Sequence, residues 1–457
     1  MSGIRARVDF RSPSNTDANP LLFGVANEPS RDHAADVYPL LQAAGIRFQR
    51  GTIHTNRLFA DTHPRATLAQ WRSGDASLID PDTWDWGALS WLTRAKDAGM
   101  RTQLNILHTP PWLSHNGRET GLPVDWGVWE SIVEQILRRW GRHIDEVDIL
   151  NEPLTPAMID IDGSAFATAE TAAVEVYLHT SRAIRRVDHH VRVGGTGEDR
   201  RGGDFGSIGP LLRDGRIPAG DLQFASYHVY DPRPADHLQL DALRDLFHGA
   251  GRSLPAVYLN EWNIDWRPDA AQPEIAGTAA CAYAAGALMM LAEVPGLTGA
   301  AFMSALPCNV DLHPDQNYDG RIVQGIYDWH GDHATLRPQA DAFRLLSIEL
   351  GLGAGAFITY ESASPTGVQV LGVRNSAGEH GLAVVNHGGA EIDLVVEVRG
   401  LAEGGIDTST GRRSDGRGVS RASAEEIVAS AEGIRFRLLP ASVAVVRFGD
   451  GGVVATA

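Results

Sequence analysis

Cysteine is nearly missing from this sequence: 457 residues carry two, Cys281 and Cys308. That count excludes a small secreted scaffold held by disulfides. Cys281 falls in an Ala-rich helical run and reads as a small packed apolar residue. Long hydrophobic runs are missing too. The most apolar stretch, Ala276–Val294, has the small residues of a buried helix rather than a bilayer span. Positive charge is scarce, with 40 Lys and Arg against 57 Asp and Glu and a net charge of −17. Nucleic acids and anionic membranes need clustered cations, so neither is expected as a partner. Met1–Phe10 has no apolar signal core and no cleavage pattern, and the expected location is cytoplasmic.

Between Leu21 and Leu350 two textures alternate. Short apolar runs end in polar residues, and longer segments of helical period follow them. The runs are Leu22–Ala26, Ile46–Arg50, Arg101–Leu107, Val147–Leu150, Val191–Gly195, Leu222–Tyr230, Ala256–Asn260 and Gly299–Met303. Among the helical segments are Trp126–Trp140, Ala169–Arg186 and Ile275–Val294. In Trp126–Trp140, the residues Trp129, Ile132, Val133, Ile136, Leu137 and Trp140 form one apolar stripe. Eight β-then-α units of this length predict an α/β fold, a (β/α)8 TIM barrel. An open doubly wound sheet would place a Gly-rich phosphate turn after its first strand. Asn27-Glu28-Pro29 stands there instead.

The texture changes after Leu350. Gly351–Gly355 reads as a linker. Short β-rich runs follow at Phe357–Tyr360, Val368–Val373, Leu382–Val385, Ile392–Val398, Ile434–Leu438 and Val443–Phe448, with a Gly/Arg/Ser-rich loop at Gly404–Gly418. This pattern predicts a C-terminal antiparallel β-sandwich domain. Ile4, Ala6, Val8 and Phe10 alternate with polar residues, so the N-terminus predicts a half-buried strand. The expected division is 1–20, a strand joining the sandwich; 21–350, the barrel; and 351–457, the sandwich.

Barrel enzymes carry their chemistry at the C-terminal ends of the strands. The fourth run ends Ile149-Leu150-Asn151-Glu152-Pro153, and the seventh ends Leu259-Asn260-Glu261-Trp262-Asn263. Two glutamates therefore reach one mouth from nearly opposite sides. A lone Asn-Glu-Pro is often only a strand end with a turn, and a lone Glu is often an ion-pair partner. The pair on strands four and seven is far more specific. Glycosidic cleavage needs two such carboxyls, one to protonate the leaving oxygen and one to attack or to activate water.

These residues resemble clan A of the glycoside hydrolases, and within it family 39, which includes β-xylosidases and α-L-iduronidases. The likeness spans nearly the whole chain. It includes Gly45-Ile46-Arg47-Phe48-Gln49-Arg50-Gly51, Trp84-Asp85-Trp86, Gly194-Gly195, Tyr227-His228-Val229-Tyr230, Glu261-Trp262-Asn263 and the helix Pro338–Leu350 leading into the sandwich. The resemblance implies a retaining double displacement, with Glu152 as acid/base and Glu261 as nucleophile. Leu150 and Leu154 flank the Asn-Glu-Pro where the family has an aromatic and an Asn. Phe302-Met303-Ser304-Ala305 replaces its frequent aromatic platform. Those departures bear on the substrate and leave the chemistry intact.

Supporting roles follow. In the clan the residue at Asn151 bonds the sugar 2-hydroxyl. Arg50 is placed to pair with Glu261 and hold it ionised, and Tyr230 to donate to it. His228 is expected at the acid/base or the sugar. His108 and, more weakly, His54 are candidates for sugar hydroxyls, with Trp112 as a stacking wall. Trp262 and Trp266 flank the nucleophile as further aromatic contacts. Between two close carboxyls, Glu152 is the one expected to stay protonated. Asp311, His313, Asp315, Asn317 and Asp319 alternate after strand eight. Their spacing is not that of a Ca2+ loop, so they read as a polar rim. No metal and no cofactor are expected. The expected partner is a carbohydrate, cleaved by an exo-acting β-xylosidase-like enzyme. An α-L-arabinosidase, a β-glucosidase, an endo-acting relative and a non-catalytic carbohydrate-binding protein are the alternatives. A homo-oligomer is compatible with the sequence.

Overall fold

The computed structural model describes residues 4–14, 19–29, 33–155, 157–199, 205–265, 277–305, 325–400, 411–430 and 433–448. Trp266, Cys308 and the Asp311–Asp319 loop lie outside them. The first strand, β1, is Ile4–Pro13. Eight parallel strands then close a barrel: β2 Leu22–Ala26, β3 Phe48–His54, β4 Arg101–Leu107, β5 Glu146–Ile149, β6 Arg192–Asp199, β7 Phe224–Tyr230, β8 Ala256–Asn263 and β9 Leu297–Met303. β2 pairs with both β3 and β9, which closes the ring. The fold class expected from the β/α alternation is the one observed.

The helices cover the barrel because each strand buries an outward face. Trp126–Trp140 starts at Asp125, whose carboxylate accepts the backbone N–H groups of Gly127 and Val128. Val128, Trp129, Ile132, Val133, Ile136 and Leu137 form its buried stripe, while Trp140 is only half-buried. The helix packs on Ala169–Val187, where Trp129 Nε1 donates to Thr180 Oγ1 at 2.9 Å.

The C-terminal strands form one curled, mixed, ten-stranded sheet. Its order is Ser420–Arg421, Arg412–Ser414, Ser442–Arg447, His380–Asn386, Val368–Arg374, Ile358–Ala363, β1, Ile392–Arg399, Gly433–Leu438 and Ile427–Ser430. The sequence pattern predicts antiparallel pairing throughout. The structure differs at β1, which runs antiparallel to Ile358–Ala363 but parallel to Ile392–Arg399. A strand arriving from the far end of the chain is not tied to its neighbour by a hairpin, so nothing forces it antiparallel.

Alternation along these strands serves two cores. Val8, Phe10, Val370, Leu382, Val384, Leu394, Val396, Phe436 and Val446 pack together inside the curl. Leu371, Val373, Ala383, Val385, Val443 and Val445 face the other way and join the barrel's core. The sheet is therefore fused to the barrel through apolar contact. The expected Gly linker is part of that seam, because Leu352 within it is fully buried. The expected helix Pro338–Leu350 is Gln339–Phe343 passing into a π-helical turn, Arg344–Glu349. Among the described residues no helix is long and apolar enough to cross a membrane.

Candidate active site

The site is built at the C-terminal mouth of the barrel, starting from backbone that leaves the strand conformation abruptly. After β5, Leu150 and Glu152 both have positive φ, +75° and +44°. For side chains other than glycine this costs about 1–2 kcal/mol per residue, so the turn needs outside support. Asn105 of β4 supplies it by donating its side-chain N–H groups to the carbonyls of Asp148 and Leu150, at 2.8 and 2.7 Å. Glu152 N–H donates to the Gly197 carbonyl at 2.9 Å. Gly197, at φ +58°, has to lack a side chain. A Cβ there would sit 3.0 Å from His228 Nε2 and 3.4 Å from the Asn151 Cα.

Arg50 of β3, 1% exposed, is the hub. Its Nη1 donates to Glu261 Oε1 at 2.6 Å, its Nη2 to Asn151 Oδ1 at 2.6 Å, and its Nε to Asp148 Oδ2 at 3.0 Å. Asp148 is fully buried and also accepts from Ser226 Oγ at 2.7 Å and Asn260 Nδ2 at 2.8 Å. One guanidinium thus fixes the side chains at the ends of β5 and β8 relative to each other. The planar fork makes this possible, and a lysine could not reproduce it. No motif marks Asp148, Ser226 and Asn260. Their only trace in the sequence is a polar residue inside a strand.

Tyr230 OH donates to Glu261 Oε2 at 2.5 Å. Burial by itself would raise the Glu261 pKa. The charges of His228 and Arg50 and the bonds from Tyr230 and Arg50 outweigh it, so Glu261 lies below its ordinary value. Burial, reinforced by Glu261, pushes the Tyr230 phenol well above its ordinary value and keeps it a donor. His228 is fully buried, with Nδ1 2.7 Å from Glu152 Oε1 and 3.5 Å from Glu261 Oε2. Burial opposes charge on this imidazole, but the two carboxylates prevail and its pKa is raised. One donor atom each from Glu152, His228 and Glu261 lies within 4.8 Å of the others.

His54 and His108 meet at the rim beside this centre, Nδ1 to Nδ1 at 3.0 Å. Burial, His108 and Arg57 lower the His54 pKa to about 3, and burial also lowers that of His108. Glu119, which no sequence motif marks, reaches within 3.7 Å of His108 Nδ1. Trp112 packs its ring on Trp71 and Phe59, with centroids 5.6 and 5.4 Å apart. Trp262 requires a correction. It is fully buried against Phe302 and Phe343, with its ring in the core. Successive residues of a strand point to opposite sides, so a chain that turns Glu261 into the mouth turns Trp262 toward the helices. Glu28, after β2, is a further carboxyl. Burial raises its pKa.

Arg50→Met is expected to lower stability by about 3–5 kcal/mol, because Asp148 and Glu261 would remain buried without their counter-charge. Urea unfolding midpoints measure this, and a loss below about 1 kcal/mol would contradict the hub role. The depressed pKa of Glu261 contributes stability above its unfolded-state pKa, and that contribution is lost as the pH falls through the folded value.

No protein-family profile matches this chain, and no curated protein sequence matches it significantly. Solved structures do match over essentially the whole length. A glucosidase from Croceicoccus marinus superposes with a TM-score of 0.65 at 16% identity, covering 98% of this chain and 99% of its own. Xyn30A, a glycoside hydrolase family 30 subfamily 8 xylanase from Clostridium acetobutylicum, gives 0.61 at 12%, covering 97% and 99%. A family 44 xyloglucanase from Paenibacillus polymyxa gives 0.61 at 10%, covering 97% and 99%. At these identities the shared property is the fold: this chain has the barrel-and-sheet fold of those glycoside hydrolases.

Proposed function

We propose that the protein is a retaining glycoside hydrolase of clan A, with Glu261 as nucleophile and Glu152 as acid/base. One observation carries the reading: a carboxylate oxygen of each glutamate lies within 4.8 Å of the other, with His228 against both. An approach this close fits two carboxyls that share one anomeric centre, and retaining pairs stand roughly 5–5.5 Å apart. Glu261 is held ionised by Arg50 and Tyr230, as a nucleophile must be. It attacks the anomeric carbon while Glu152 delivers a proton to the leaving oxygen. Glu152 then takes a proton from the water that releases the sugar from Glu261. His228 Nδ1 lies 2.7 Å from Glu152 Oε1, so His228 orients the acid/base. Asn151, aligned by Arg50, is placed for the sugar 2-hydroxyl, and His54 and His108 line the rim for further hydroxyls.

The finer reading is a family 39-like, exo-acting β-xylosidase. It rests on the sequence motifs; the name xylanase among the structural neighbours fits the sugar, and the name glucosidase fits the β-glucosidase alternative. A panel of aryl xyloside, arabinofuranoside, arabinopyranoside, glucoside and galactoside tests the sugar. A 2-fluoroglycoside of the best substrate should add one sugar to the intact mass, mapped to Glu261. Absence of turnover and of any adduct across the panel would favour a carbohydrate-binding protein.

Tyr230→Phe tests how the nucleophile is kept charged. Wild-type kcat/KM should hold to a pH below the ordinary carboxylate range before its acid limb falls. Losing a charge-assisted bond of about 1.5–3 kcal/mol should move that limb up by roughly one to two pH units. An unshifted limb would remove Tyr230 from this role.

A further inference from the structure

We propose that His54, His108 and Glu119 form a binding site for a divalent transition-metal ion of the zinc class at the rim of the barrel mouth. One donor atom from each lies within 4.8 Å of the others. His54 Nδ1 and His108 Nδ1 are 3.0 Å apart, and His108 Nδ1 is 3.7 Å from Glu119 Oε2. Donors about 2.0–2.1 Å from a tetrahedral ion stand roughly 3.3 Å from one another, so these separations bracket what one ion requires. Two imidazoles and a carboxylate select zinc-class ions over Ca2+ or Mg2+, which demand oxygen.

The donors are held from outside the cluster. His108 keeps a left-handed backbone, φ +65°, and its carbonyl accepts from Thr55 Oγ1 at 2.6 Å. Asn56 Nδ2 donates to Glu119 Oε2 at 2.6 Å, and Thr109 N–H donates to the Glu119 carbonyl at 2.8 Å. Arg57 places positive charge beside both imidazoles, and Glu119 offsets it at His108. Strand register locates the ion. His54, the last residue of β3, pairs with Leu107, the last residue of β4, so His54 and His108 stand at the C-terminal mouth of the barrel. The ion would sit beside the sugar pocket, where three protein donors leave a tetrahedral ion one position for water or a sugar hydroxyl.

A neutral N–H···N bond between the two histidines accounts for the 3.0 Å contact without an ion, and the two cases predict different titrations. The full chain, stripped with chelator, should bind about one equivalent of Zn2+ in calorimetry. Co2+ should give the visible absorption of a nitrogen-ligated tetrahedral ion. His54→Gln, His108→Gln and Glu119→Gln should each weaken Zn2+ at least 10-fold. Glu152→Gln should leave its affinity unchanged, because Glu152, His228 and Glu261 form the rival cluster of donors. No binding of Zn2+ by the full chain at about 100 μM would overturn the proposal, whatever the variants do. So would affinity that falls with Glu152→Gln and not with His54→Gln. Direct binding is the readout, so failure here leaves the glycosidase reading standing, and failure of that reading leaves this one.

Discussion

Glu261→Ala is expected to abolish turnover of every glycoside the protein cleaves, with kcat falling on the order of 10^4-fold or more. The reason is the double displacement: without the carboxylate no covalent glycosyl intermediate forms on the enzyme. The fold should survive, because Arg50 keeps Asp148 and Asn151 as partners. Added azide provides the discriminating measurement. With an activated aryl glycoside it should enter the space left by the side chain and attack directly, giving a glycosyl azide of inverted configuration. A variant that keeps more than about 1% of wild-type activity without azide, or an azide product of retained configuration, would reassign the nucleophile.

Glu152→Ala should separate substrates by leaving group. General acid catalysis is worth roughly 10^2–10^4-fold. That loss is expected in full for alkyl or sugar leaving groups, whose oxygen must be protonated. For an acidic dinitrophenyl leaving group the first step should be nearly untouched. The second step, now without its base, should become limiting, so kcat falls while kcat/KM is largely preserved and the glycosyl-enzyme accumulates as a burst. Azide should then speed release and give a product of retained configuration. Equal losses of kcat/KM across leaving groups would contradict the role. His228, 2.7 Å from this carboxyl, should pass part of the effect: His228→Ala is expected to alter the pH profile more than the affinity.

The sequence by itself determined the layers and the strand ends that present Glu152 and Glu261. Period-two and period-3.6 patterns reflect which face of each element avoids water, and that is a local property. So the eight β/α units, the stripe on Trp126–Trp140 and the placement of Glu152 and Glu261 at the ends of the fourth and seventh barrel strands were legible residue by residue. Tertiary structure decided everything that depends on two distant segments meeting. Asp148 gave no sign that it would anchor Arg50, because their contact arises only when β3 and β5 share the inside of a closed ring. Trp262 looked like a sugar platform until strand alternation turned it into the core against Phe343. β1 could be read as a strand, yet its parallel partner Ile392–Arg399 lies almost the whole chain away. His54, His108 and Glu119 come together for the same reason: closure and register of the barrel fix which loop ends face each other, and no local pattern encodes that geometry.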